Sequence, residues 1–326
     1  MDRQKINHVF VAGAGAWGTA LAQLVAARGA HVTLWSNDPD VTQEINNAHV
    51  NSRFLSGFVL SDLITATNKP DTDSMFDLVL VVCPAQRLRI ALVQIQPKAP
   101  VLICAKGMEI DTGKLMTEVA NEICSAAPVG MLSGPSFAPD VASGLPCAVT
   151  IAFQDTVLAQ SICATIGSAS FRPYASGDVV GTAVGGAVKN VLAIACGIVE
   201  GKGLGESARA GLVTRGFAEM TRFGVAIGAK PETLAGLSGL GDLVLTASSR
   251  QSRNFRLGIE LARGSRNWRS GPLAEGAATA LPLVVRAKSL GIQMPIAEAV
   301  AGIIDSRLDI DDAIRHLLSR PFKNEV

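Results

Sequence analysis

The apolar run 179–199, VVGTAVGGAVKNVLAIACGIV, constrains this chain most. Its one ionisable group, Lys189, lies at the middle, and Asp178 and Glu200 stand just outside its ends. Such a run is a membrane span, a core helix whose lysine reaches water, or a core helix whose lysine is used. Its length and the Gly181-x-x-x-Gly185 spacing suit a span. A charge at a bilayer centre opposes one, by roughly 2.5–3.5 kcal/mol on insertion scales. Burial disfavours an ammonium ion and lowers its pKa. A lysine so tuned exchanges protons near neutrality, as a general acid–base must.

The chain before this run alternates short apolar strands with helices. Residues 6–12 form a β-branched run that enters Gly13-Ala14-Gly15-Ala16-Trp17-Gly18. A helical pattern follows over 19–28, Gly29 stops it, and 31–35 reads as the next strand. Strand, glycine turn, helix and strand are the context of a dinucleotide-binding fingerprint. Gly13 makes the tight turn, Gly15 admits the pyrophosphate and Gly18 lets helix and strand pack closely. Further strands at 63–67, 78–83, 101–104, 129–132, 147–153 and 169–174 predict a parallel sheet covered on both faces. Ligands then bind at the carboxyl ends of the strands. Lys106, in a glycine-containing loop, and the turn 133–138 with Gly134 and Ser136 fall there.

The second strand ends Trp35-Ser36-Asn37, and Asp38 reads as the helix cap before Pro39. No acid closes that strand to select a ribose 2′-hydroxyl, so the cofactor expected is NADP or NAD, with NADP favoured.

From 178 onward helical periodicity dominates, at 178–200, 206–226, 231–236, 251–263, 276–290, 295–304 and 309–318. The fold expected is therefore α/β, with a Rossmann-like dinucleotide-binding domain over 1–177 and an all-α domain over 178–326. Asp242 and Thr246 are spaced to share one helical face. Arg253 beside Asn254 and Ser252 suits a phosphate. Arginines at 250, 253, 256, 263, 266 and 269 give a local basic excess. With a net charge of +1 and only Phe255 and Trp268 nearby, they do not predict nucleic-acid binding. The six cysteines lack a CxxC pair and the four histidines are dispersed, so no metal site is expected. Reduced thiols in apolar runs, with a start that reads as a strand and not a secretory leader, predict a cytoplasmic protein.

The motifs GAGAWGTALA (13–22), AKGME (105–109), SGPSFA (133–138), GGAVKN (185–190), VTRGFAEM (213–220), GLGDLVLT (239–246), QSRNFRLG (251–258) and AEG (274–276) occur in this order. By them the chain resembles bacterial NAD(P)-dependent glycerol-3-phosphate dehydrogenases over about residues 6–318. The resemblance implies hydride transfer between sn-glycerol 3-phosphate and dihydroxyacetone phosphate, supplying glycerol 3-phosphate for phospholipid synthesis, in a homodimer. It implies Lys189 as the proton-transfer group. It places Lys106, Gly134, Ser136, Asp242, Ser252, Arg253 and Asn254 at substrate positions, with Asn190 and Thr246 in support. Ala16, Trp17, Asn37, Lys106, Ala138, Arg253, Leu273 and Glu275 fall at cofactor positions beside the glycines. Ala16 stands where many members carry serine, Asn37 where arginine or histidine is common, Ser207 for asparagine and Ala274 for valine. Two rival readings are a dehydrogenase for another hydroxy or keto acid and a cofactor-sensing module without turnover. The first lacks a use for the clamp at 252–254, and the second has no need of Lys106, Lys189 and Asp242 together.

Overall fold

The computed structural model describes residues 6–70, 75–265 and 273–319; Arg266, Trp268 and Arg269 of the basic cluster lie outside the described residues. The first half builds β1 (His8–Ala12), α1 (Ala16–Ala26), β2 (His31–Trp35), α2 (Pro39–Ala48), β3 (Ile64–Thr67), β4 (Leu78–Val81), α3 (Leu88–Ile95) and β5 (Val101–Ile103). It continues with α4 (Met116–Ile123), β6 (Val129–Ser133), α5 (Ala138–Ala142), β7 (Cys147–Ala152), α6 (Thr156–Ile166) and β8 (Phe171–Ser176). The strands form one sheet in the order β3-β2-β1-β4-β5-β6-β7-β8.

The expected all-parallel sheet holds from β3 to β6, but β7 runs antiparallel to β6. The connection explains the reversal. Helix α5 has five residues, which rise about 7.5 Å. That is too short to carry the chain back along β6, so β7 descends. Helix α6 is long enough to make the return, and β8 lies parallel to β7.

Alternate strand residues serve two cores. Val9, Val11, Val32 and Leu34 face α1, α2 and α6, whereas Phe10, Val79, Val101 and Met131 face α3 and α4. The second of these cores continues without a break into the helical half through α7 (Val179–Gly201). Every side chain of α7 from Gly181 to Val199 is buried. The helix is long and apolar enough to cross a membrane, yet its apolar window lies wholly inside the protein. It is a core helix, apolar all round because it is surrounded.

The elements around it are α8 (Glu206–Ala226), α9 (Pro231–Ala235), α10 (Asp242–Ser248), α11 (Arg253–Ala262), α12 (Glu275–Ser289), α13 (Pro295–Ile304) and α14 (Ile310–Leu318). Helix α11 crosses α7 at glycine on both sides. A Cβ on Gly258 would stand 2.1 Å from the Ile194 carbonyl oxygen, and one on Gly197 would stand 2.0 Å from that of Phe255. Only backbone fits between the two helices. Periodicity did not single out a π-helical turn at Leu237–Gly241, which leads into α10. Such turns recur beside functional groups.

Glu219 on α8 is 2 % exposed, and its carboxylate accepts from Ile296 N (2.8 Å) and Ala297 N (3.2 Å) at the start of α13. Burial raises its pKa to about 7 against the pull of these two amides. Glu219→Ala leaves both donors unpaired in the interior. We expect it to lower stability by about 1–3 kcal/mol, read as a lower urea midpoint; an unchanged midpoint would refute the capping role.

Candidate active site

Helix α7 lies against the carboxyl ends of β5 and β6. A Cβ on Gly186 would meet Ser133 Oγ at 2.9 Å and Lys106 Cγ at 3.3 Å. Lys189, one turn further along α7, is 7 % exposed. Its Nζ donates to Asp242 Oδ1 (2.9 Å) and to Thr246 Oγ1 (2.7 Å), and Thr246 donates on to Asp242 Oδ1 at 3.1 Å. The helical spacing of Asp242 and Thr246 thus turns both toward one ammonium group. The other carboxylate oxygen, Oδ2, accepts from Lys106 Nζ at 2.6 Å. Lys106 also donates to the Gly134 carbonyl (3.3 Å), which accepts from Ser136 Oγ as well (3.2 Å). Lys106, Gly134, Ser136, Lys189, Asp242 and Thr246 therefore form one connected cluster.

Asp242 is 2 % exposed and lies between two cations. Burial alone would raise its pKa, but Lys106 and Lys189 hold it below the ordinary carboxylate range. Burial pulls Lys189 down to about 8; Asp242 opposes the shift and Lys106 adds to it. A lysine with its pKa lowered to about 8 has the chemistry a general acid–base needs.

Asn190, next to Lys189, donates to the carbonyls of Lys106 (3.3 Å) and Gly186 (3.2 Å). Its Oδ1 accepts from Asn254 Nδ2 at 2.9 Å, and Asn254 Oδ1 accepts from Gly276 N at 2.9 Å. Both ends of the Asn254 amide are thus engaged within the protein, tying α7, α11 and α12 together. Ser252 caps α11, its Oγ accepting from Phe255 N at 3.2 Å. Arg253, the first residue of α11, is exposed and forms no ion pair among the described residues. Its charge opposes the rise that burial causes in the Glu275 pKa.

The glycine turn joins β1 to α1. Gly13 has φ +123°, and a Cβ there would stand 3.0 Å from Cys83 N. A Cβ on Gly18 would stand 1.8 Å from the Gly13 carbonyl oxygen, so these two glycines close the turn. A Cβ on Gly15 would meet nothing within 4 Å. That open side, at the N-terminus of α1, fits a pyrophosphate. Ala16 begins α1 and Trp17 packs, half-buried, on the core beneath it. Ala138 begins α5, which packs on α1, and Asn37 is exposed just past β2. Leu273 is 44 % exposed ahead of α12. Glu275 Oε1 accepts from Ala85 N at 3.1 Å, whereas Oε2 is buried with no partner. A buried acceptor without a donor calls for one from outside, and the donor groups of a nicotinamide carboxamide meet that need.

Two features escaped sequence reasoning. Asn51 is fully buried, donating to the Ala14 carbonyl (2.9 Å) and Thr19 Oγ1 (2.8 Å), and so ties a distant loop to the glycine turn. A lone asparagine in a mixed stretch, His49 to Leu55, gave no sign of burial. Ser133 Oγ is buried without a partner beside Gly186. The six cysteines are free, and no cluster of potential metal ligands occurs among the described residues.

A dinucleotide-binding sheet whose carboxyl edge meets a helical domain bearing a buried, acid-paired lysine fits a nicotinamide-dependent dehydrogenase. The comparisons agree. Residues 8–159 and 178–315 match the N-terminal and C-terminal family profiles of NAD-dependent glycerol-3-phosphate dehydrogenase. The chain belongs to that family. It is 50% identical over 330 residues to glycerol-3-phosphate dehydrogenase [NAD(P)+] of Parvibaculum lavamentivorans, covering 98% of each chain. It is likewise 50% identical over 326 residues to that of Caulobacter vibrioides, again 98% of each. The crystal structure of glycerol-3-phosphate dehydrogenase from Coxiella burnetii superposes with a TM-score of 0.90 at 34% identity, covering 97% of this chain and 99% of that one.

Proposed function

We propose that Lys189 carries the proton step in an NAD(P)-dependent interconversion of sn-glycerol 3-phosphate and dihydroxyacetone phosphate. The observation that carries this is the buried Lys189–Asp242–Lys106 cluster at the carboxyl edge of the sheet. In oxidation, neutral Lys189 accepts the C2 hydroxyl proton as the carbinol C–H bond breaks. Bound NAD(P) supplies the hydride acceptor. In reduction, the Lys189 ammonium returns the proton to the forming alkoxide. Asp242 and Thr246 aim Nζ, and Asp242 keeps its pKa from falling further. Lys106, held by Asp242 and Gly134, offers a positive charge to the oxygen on C2. Arg253, at the N-terminus of α11, suits the substrate phosphate. Glu275 offers its free Oε2 to the nicotinamide carboxamide, and the glycine turn with Ala16, Trp17 and Ala138 receives the pyrophosphate.

The same reading sets the domain division between 177 and 178 and takes the enzyme as a cytoplasmic homodimer that feeds phospholipid synthesis. Its support is the family resemblance and the free thiols.

The test is reduced-nicotinamide absorbance followed across pH. Oxidation needs Lys189 neutral. Its kcat/KM should rise about ten-fold per pH unit below the lysine pKa of about 8 and level off above it. Reduction needs the ammonium, so its kcat/KM should be level below about 8 and fall above. Absence of turnover with dihydroxyacetone phosphate would sink the enzyme reading. A flat profile in both directions would sink only the role of Lys189.

A further inference from the structure

We infer that Arg53 is the residue that reads the 2′-phosphate of NADP, with Asp38 as its internal competitor. The inference rests on the NAD(P)-dependent reading above. The end of the second strand is where a dinucleotide-binding sheet meets the adenosine ribose. In this chain the position just past that strand, Asn37, is uncharged. The positive charge arrives instead from a loop after α2. The Arg53 guanidinium pairs with Asp38 Oδ2, and it lies 5.2 Å from the centre of the Phe54 ring.

The loop that delivers Arg53 is fixed to the cofactor turn. Buried Asn51 donates to Ala14 and Thr19 of that turn. Leu55 N returns to the Asn51 carbonyl (2.9 Å), Phe54 N donates to Asn51 Oδ1 (3.3 Å) and Ser52 N donates to Glu44 (2.9 Å). Arg53, at the tip of this turn, keeps a side chain 64 % exposed, so the guanidinium is accessible to a ligand.

Asp38 is the nearest acid to the end of β2, the position from which an NAD-selective fold binds the ribose 2′-hydroxyl. Here it is engaged otherwise. Its Oδ1 accepts from Asp40 N (3.0 Å) as the cap of α2, and its Oδ2 faces Arg53. A 2′-phosphate meets a neutralised acid and an available arginine with donors to spare, because one guanidinium presents five N–H groups. Asp38 holds Arg53 in place and also weakens its attraction for the phosphate.

The test uses the full chain and calorimetric titration with 2′,5′-ADP and 5′-AMP, which differ only in the 2′-phosphate. Arg53→Ala should reduce the ratio of the two affinities by roughly ten- to a hundred-fold. Arg53→Lys should retain part of the preference, since it keeps the charge and loses the fork. Asp38→Asn keeps a capping side chain and should shift the ratio toward 2′,5′-ADP. The ratio of kcat/KM for NADPH over NADH should follow the same order. Equal losses for the two nucleotides in Arg53→Ala, or an unchanged ratio, would overturn the assignment. Neither binding result depends on turnover, so failure here and failure of the dehydrogenase reading are separable.

Discussion

Replacing Lys189 with alanine should reduce reduction of dihydroxyacetone phosphate by about 10²–10⁴-fold or more, with a smaller change in KM. The proton step has no substitute nearby. Lys106 is bonded to Asp242 and Gly134, and Thr246 is a hydroxyl that already accepts from Lys189 and donates to Asp242. Two further variants separate chemistry from packing. Lys189→Met keeps most of the stem volume in a helix buried on all sides. It should lose activity like Lys189→Ala while melting near the wild type, because Asp242 still pairs with Lys106. Lys189→Arg keeps the charge but does not deprotonate, so it should fail in the oxidative direction throughout the accessible pH range. Retained turnover in Lys189→Met would remove Lys189 from the proton step.

Replacing Asp242 with alanine should cost stability as well as rate. Its carboxylate is the shared counter-ion of two buried or half-buried ammonium groups, at 2.6 and 2.9 Å. Removing one member of a buried ion pair costs about 3–5 kcal/mol, because the remaining charge has no partner. At about 2–4 °C per kcal/mol for a chain of this class, the melting temperature falls by on the order of ten degrees. The isosteric Asp242→Asn separates charge from shape. It should also move the pH profile down, since the carboxylate raises the Lys189 pKa against burial. A melt within a degree of wild type for Asp242→Ala would show that the two lysines do not depend on it.

Much of the frame was legible in the residues. The glycine turn, the strands of the first half and the helices of the second half follow from periods and turn chemistry that act over a few positions. Their limits differ from expectation by a residue or a few: the first helix begins at Ala16 and not at Thr19, because the turn glycines themselves lead into it. The reversal of β7 was missed, since alternation within a strand says nothing about its direction. Asn254 reads as a phosphate ligand because an amide beside an arginine suits one. Its hydrogen bonds to Asn190 and Gly276 join positions far along the chain and are found only by packing. Asn51 and Arg53 were invisible for the same reason.

The sequence alone determined that a single lysine occupies the middle of an apolar helix, with a second lysine, an acid and a hydroxyl available elsewhere. Such facts depend on composition and local spacing. The tertiary structure decided that Asp242 stands between Lys106 and Lys189, with one carboxylate oxygen for each. It also decided the sign of the balance at Lys189, where burial outweighs the carboxylate and leaves the pKa at about 8. That sign is a difference between desolvation and Coulomb attraction, and both depend on distances set by packing.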